Sequence, residues 1–176
     1  QSRDSFTRGT GTVAIADGDE YTDAGSFVGN DVNAFFTAPE VDLTGVDAST
    51  LQIAFDSSFR PYADMTGTVE VSFDGGTTFE TLLTLNTDTA GGNSALTRAD
   101  EAVTLEVDAS GETSAVFRFG YTNADNDWWW AIDNIEISAE RPVLTPIYSE
   151  DFDSLADLLQ PAVDENIPET TLGWTH

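Results

Sequence analysis

Apolar and polar residues alternate with period two along most of this chain, and Gly, Asn and Asp cut the alternation into short runs. In Thr68–Phe73 the residues Val69, Val71 and Phe73 fall on one face of an extended segment. Asp74-Gly75-Gly76 then makes a turn, and Phe79 to Leu85 returns as the partner strand. Val103, Leu105 and Val107 alternate with Thr104, Glu106 and Asp108, and Ala115, Phe117, Phe119 and Tyr121 repeat the pattern. Thr12–Ala16, Ala34–Thr37 and Leu51–Phe59 read as strands upstream, and Trp128–Ser138 as a long final one. Only Ser154–Leu159 has helical character, with Ser154 placed to cap it. Some eight or nine strands at this spacing predict an all-β chain, an antiparallel jelly-roll β-sandwich.

The pattern changes near residue 140. Two prolines, Pro142 and Pro146, mark residues 140–147 as a semi-rigid linker between a sandwich over 1–139 and a tail over 148–176. The tail carries a further strand at Ile147–Asp153, then the short helix and a Pro- and Gly-containing loop. So short a segment cannot build a core of its own and has to dock, on the same sandwich or on a neighbouring one. Ile147, Tyr148, Phe152, Leu155 and Trp174 are the side chains expected to do so.

Charge narrows the function classes. The 176 residues hold 32 Asp plus Glu against 6 basic residues, all arginine, for a net charge of −26. Such a field repels nucleic acids and anionic membranes, whose binders displace counterions with Lys and Arg. No apolar run is long enough to cross a bilayer. There is no cysteine, and the one histidine is His176, which leaves neither a thiol nucleophile nor an imidazole metal cluster. The sequence begins at Gln1 and shows no signal peptide, so it reads as a mature or excised segment. Nineteen aromatic residues are too many for a disordered acidic chain. An Asp-rich, lysine-free surface suits salty or calcium-containing water.

Two strings, Asn126–Ile137 (NDWWWAIDNIEI) and Val69–Gly76 (VEVSFDGG), carry a family resemblance. Over residues 6–138 the chain resembles the MAM-like jelly rolls of secreted bacterial proteins, often labelled choice-of-anchor domains. That resemblance implies a non-catalytic extracellular sandwich, appended to hydrolases or repeated along surface proteins. Family members open with an aromatic–acidic strand followed by Gly-Trp-Thr. Here the matching residues, Tyr148–Asp153 and Gly173-Trp174-Thr175, come after the closing motif. The order implies a cut from a tandem array, a permuted repeat, or a tail that supplies its strand to a neighbouring subunit.

Asp17, Asp19, Glu20 and Asp23 gather oxygen ligands on one loop, in a pattern that suits Ca²⁺ without the spacing of an EF-hand. The resemblance implies that such an ion is held between this loop and an acidic residue of the last strand, here Asp133. Asn123, Asp125 and Asp127 read as a solvated turn. Trp128, Trp129 and Trp130 on one strand must point to both faces: Trp129 opposes the other two. One set is core, and Trp129, with Tyr21 and Tyr62 as accessories, is the candidate stacking platform for a sugar. Arg60 and Arg118 are candidates for ion pairs with carboxylates. Searches for G-x-S-x-G, H-E-x-x-H and P-loop patterns are negative.

These observations predict a secreted, calcium-assisted, non-enzymatic module. Its expected role is one repeat or protomer of a surface array or filament, joined to copies of itself through the tail. A carbohydrate-binding module of a larger secreted hydrolase is the alternative, with polysaccharide as partner.

Overall fold

A computed structural model describes residues 6–18, 32–46, 49–125 and 127–139. The chain divides into two units, Gln1–Pro142 and Val143–His176, and the second lies outside the described residues. The helix expected at 154–159 and the tail strand are therefore outside them as well.

Nine strands follow in order: β1 Ala14–Asp17, β2 Val32–Thr37, β3 Val41–Asp42, β4 Thr50–Phe59, β5 Thr66–Ser72, β6 Glu80–Leu85, β7 Glu101–Asp108, β8 Ser114–Ala124 and β9 Trp129–Ala139. The strand bounds follow the period-two runs to within a few residues. Only the two-residue β3 carries too little pattern to be seen beforehand. All pairings are antiparallel. One sheet has the order β1-β9-β4-β7 and the other β2-β8-β5-β6, with β3 also on β8. The chain crosses between sheets at six of its eight connections and leaves both ends of the strand series on the first sheet. This is an antiparallel jelly-roll β-sandwich, as the alternation predicts.

The core forms where the apolar phases of the two sheets meet. Leu51, Ile53, Phe55 and Phe59 of β4 face Val69 and Val71 of β5 and Phe117, Phe119 and Tyr121 of β8. Its aromatic centre is edge-packed: Phe55 meets Phe119 at 5.1 Å and 87°, and Phe59 meets Trp130 at 6.1 Å and 89°. These are favoured quadrupole geometries. The Trp130 indole N–H, taken from water by this packing, donates to Ser57 Oγ at 3.0 Å. The hairpin between β5 and β6 closes as its Asp-Gly-Gly sequence requires. Gly75 and Gly76 have φ of 72° and 86°, and the Asp74 carboxylate accepts the amides of Thr77 and Thr78.

Candidate functional site

The outer face of the second sheet is built by the strand phases that do not enter the core. Phe119 and Tyr121 point inward, so Arg118, Gly120 and Thr122 of β8 point outward. Cross-strand register sets their neighbours. Gly120 lies between Phe35 of β2 and Thr68 of β5; Arg118 lies between Thr37 and Glu70; Thr122 lies opposite Thr66. On β6, Thr84 and Thr81 extend the same two central rows. The face is therefore rich in hydroxyls, each both donor and acceptor.

Phe35 is the exception on this polar ground. Its side chain is 53% exposed, although a ring of that size is normally withdrawn from water. Gly120 explains where the ring sits. A Cβ on Gly120 would come within 3.0 Å of the Phe35 ring and 2.6 Å of Thr68 Oγ1. Glycine is thus required here by space, and the ring lies across the sheet over the missing side chain. Beside it, the Arg118 guanidinium stands 4.7 Å from the Phe35 ring centroid and 3.7 Å from that of Phe79. Cation–π attraction holds the three groups in a row. Glu70 Oε2 receives Arg118 Nε at 2.7 Å and Nη2 at 2.6 Å. The pair is partly buried, so the carboxylate cancels the arginine charge locally.

Trp129, the expected platform, is a correction. It does point away from Trp130, yet it is only 1% exposed. Its indole N–H donates to Ser58 Oγ at 3.1 Å, and Trp128 packs on it edge-on at 5.7 Å. Arg60 stacks on Trp128 at 3.6 Å from the ring centroid. Both faces of β9 therefore bury a tryptophan, because a second small cluster grows outside the first sheet. Tyr62 is exposed on the connection between β4 and β5, and Tyr21 lies outside the described residues. Trp129 and Tyr62 do not make one platform. Of the two arginines, Arg118 has its carboxylate partner, while Arg60 rests on the tryptophan ring.

The acidic candidates are separated as well. Asp17 pairs with Trp129 across β1 and β9, four ladder positions from Asp133, a spacing of about 13 Å. Those two carboxylates do not converge on one ion. Asp133 instead accepts the amide of Thr10 at 2.7 Å and that of Asn134 at 2.8 Å. Asp19, Glu20 and Asp23 lie outside the described residues, among which no group of three or more His, Cys, Asp or Glu is placed to hold a metal. Asp127 departs from the expected solvated turn: it is 3% exposed and accepts the Asp125 amide at 2.7 Å. The candidate tail residues Ile147, Tyr148, Phe152, Leu155 and Trp174 are outside the described residues.

Asp133 belongs to a strap that holds residues 6–11 over the first sheet. Asp56 pairs with Arg8 at 3.5 Å and accepts from Asn134 Nδ2 at 2.8 Å. Asp100 accepts the Thr7 hydroxyl at 2.5 Å and the Arg8 amide at 3.0 Å. The Thr7 hydroxyl first, and the Arg8 amide after it, hold the Asp100 carboxyl below its ordinary value.

Sequence reasoning missed Phe35. The available signal was the doublet Phe35-Phe36 on a strand, which sends one ring to each face. Which ring stays bare depends on partners that only the assembled sheet supplies.

No family model matches the chain, so its resemblance to MAM-like domains rests on the motifs alone. No curated protein matches it. Among solved structures, that of the carbohydrate-binding module TmCBM61 in complex with β-1,4-galactotriose is 13% identical, with a TM-score of 0.42 over 73% of this chain and 82% of that one. A CBM4 structure is 14% identical, with a TM-score of 0.35 over 74% of this chain and 90% of that one. Likeness of this order names no family for the chain and assigns it no ligand. No helix among the described residues is long and apolar enough to cross a membrane.

Proposed function

We propose that this chain is a non-catalytic, extracellular carbohydrate-binding module whose platform is the outer face of β2, β8 and β5. The observation that carries the reading is the half-exposed Phe35 ring laid over Gly120 in a field of threonine hydroxyls. A pyranose has an apolar face of C–H bonds and a polar rim of hydroxyls. The negative face of an aromatic ring attracts those C–H groups, while nearby Thr hydroxyls meet the rim. Phe35 supplies the first element; Thr68, Thr37 and Thr122 supply the second.

Charge selects the class of glycan. The net charge of −26 repels anionic polysaccharides, and the arginine on the face is already neutralised by Glu70. The ligand is a neutral polysaccharide. Affinity electrophoresis through gels containing neutral and uronate-bearing polysaccharides tests this: retardation is expected in neutral gels and lost in Phe35→Ala. Free migration of the parent protein through every neutral glycan tried would end the proposal.

A further inference from the structure

The Arg118–Glu70 pair beside Phe35 is satisfied unevenly. A guanidinium and a carboxylate often meet fork to fork, with both carboxylate oxygens engaged. Here a single oxygen, Glu70 Oε2, takes both Arg118 Nε at 2.7 Å and Nη2 at 2.6 Å. Among the described residues, Glu70 Oε1 accepts no hydrogen bond and Arg118 Nη1 donates none. Neither atom is sealed off, because no buried side-chain oxygen or nitrogen among the described residues lacks a partner. Both therefore reach the surface of the outer face, one as an acceptor and the other as a donor. Each is joined through one carbon to an atom of the 2.6 Å contact, which keeps the two close together. The pair is also held still: Arg118 stands 4.7 Å from the Phe35 ring centroid and 3.7 Å from that of Phe79, and its side chain is only 27% exposed.

We propose that Arg118 and Glu70 determine the specificity of the platform by reading two adjacent free hydroxyls on the sugar ring seated on Phe35. Arg118 Nη1 donates to one hydroxyl and Glu70 Oε1 accepts from its neighbour. The inference rests on the glycan reading of this face and names the class of glycan more closely. The pair carries no net charge and offers an anion no advantage, yet each bond it makes to a hydroxyl has one charged partner and is stronger than a bond between neutral groups. Threonine hydroxyls rotate to suit many arrangements. The ion pair is fixed by Phe35, Phe79 and its own internal bonds, so little side-chain freedom is lost on binding and one arrangement is favoured. A sugar substituted at either hydroxyl leaves a charged group desolvated and unpaired, and that penalty discriminates against it. The ligand is thus a neutral pyranose polymer with two neighbouring ring hydroxyls free. A hexopyranan linked through its fourth carbon meets this condition; one linked through its third does not, because its remaining ring hydroxyls are no longer adjacent.

Affinity electrophoresis of the full chain in matched pairs of gels tests this. Each pair holds polymers of one neutral sugar (glucose, mannose or galactose), linked through the fourth carbon in one gel and through the third in the other. The parent protein is expected to bind about tenfold more tightly to the fourth-carbon polymer of the sugar it recognises. Arg118→Lys keeps a cation opposite Glu70 without the fixed second nitrogen, and Glu70→Gln keeps an acceptor without its charge. Each is expected to lower affinity for the fourth-carbon polymer to that for the third-carbon polymer, whereas Phe35→Ala loses both. Chemical denaturation identifies a variant that fails to fold, and the other variant then carries the comparison. Equal retention of the parent in both gels of a pair, or a preference that survives the substitutions, would overturn this inference and leave the platform reading in place. Free migration of the parent through every pair would overturn both.

Discussion

The two outward faces of the sandwich begin from the same ingredients and are finished in opposite ways. Each carries an aromatic residue out of phase with the core: Trp129 on the first sheet, Phe35 on the second. On the first sheet the chain covers that residue, setting Trp128 and Arg60 around the indole and drawing residues 6–11 across the neighbouring strands with Asp56, Asp100 and Asp133. On the second, Phe35 stays 53% exposed with Arg118 beside it, and the sheet makes room for the ring by placing glycine beneath it. An outward aromatic with its N–H satisfied and its surface buried serves stability. One held bare on a hydroxyl-rich sheet contributes little to folding and is available to a ligand.

Substitutions can break this contrast. Trp129→Ala removes a buried ring and orphans the Ser58 hydroxyl; it is expected to cost about 3–5 kcal/mol in chemical denaturation, close to what a core tryptophan costs. A loss below about 1 kcal/mol would place Trp129 with the exposed aromatics and dissolve the distinction. Gly120→Ala should come next. Its Cβ would press on Thr68 and lift the Phe35 ring, costing about 1–3 kcal/mol and weakening glycan retention. Phe35→Ala sharpens the comparison from the other side: stability should change by only about 0.5 kcal/mol while retention in a neutral-glycan gel is lost.

Smaller still is the response of the strap to acid. Asp100 is held below its ordinary value of 3.8, chiefly by the Thr7 hydroxyl. A depressed carboxyl contributes stability that is complete above its unfolded value and disappears as pH falls through the folded one. Exchange of the Arg8 amide should therefore accelerate below about pH 4, and Asp100→Asn should show the faster exchange already at neutral pH.

Much of this was legible from residue order alone. Strands such as Thr66–Ser72 and Glu101–Asp108 announce themselves because one face is buried and the other wet, so alternation and structure are the same fact. The turn at Asp74-Gly75-Gly76 was legible because its chemistry is local: two left-handed glycines and a carboxylate that caps the amides following it. The candidate site was not. Trp129 and Phe35 look alike in sequence, each an aromatic with an aromatic neighbour, and only partners from distant strands separate them. Ser58 and Arg60 reach Trp129 from β4 and the connection that follows it. Gly120 reaches Phe35 from β8.

The sequence by itself determined the class of fold, the phase of nearly every strand, the acidity that turns away anionic partners and the opposed directions of consecutive tryptophans. These properties depend on neighbours a few residues apart or on totals over the whole chain. Tertiary structure decided which outward aromatic is covered, which carboxylates are kept apart and which arginine is neutralised. Register and burial bring together residues up to 120 or so positions apart, as between Thr10 and Asp133. No local pattern encodes those meetings, because the free energy that selects them is released only when both sheets have closed.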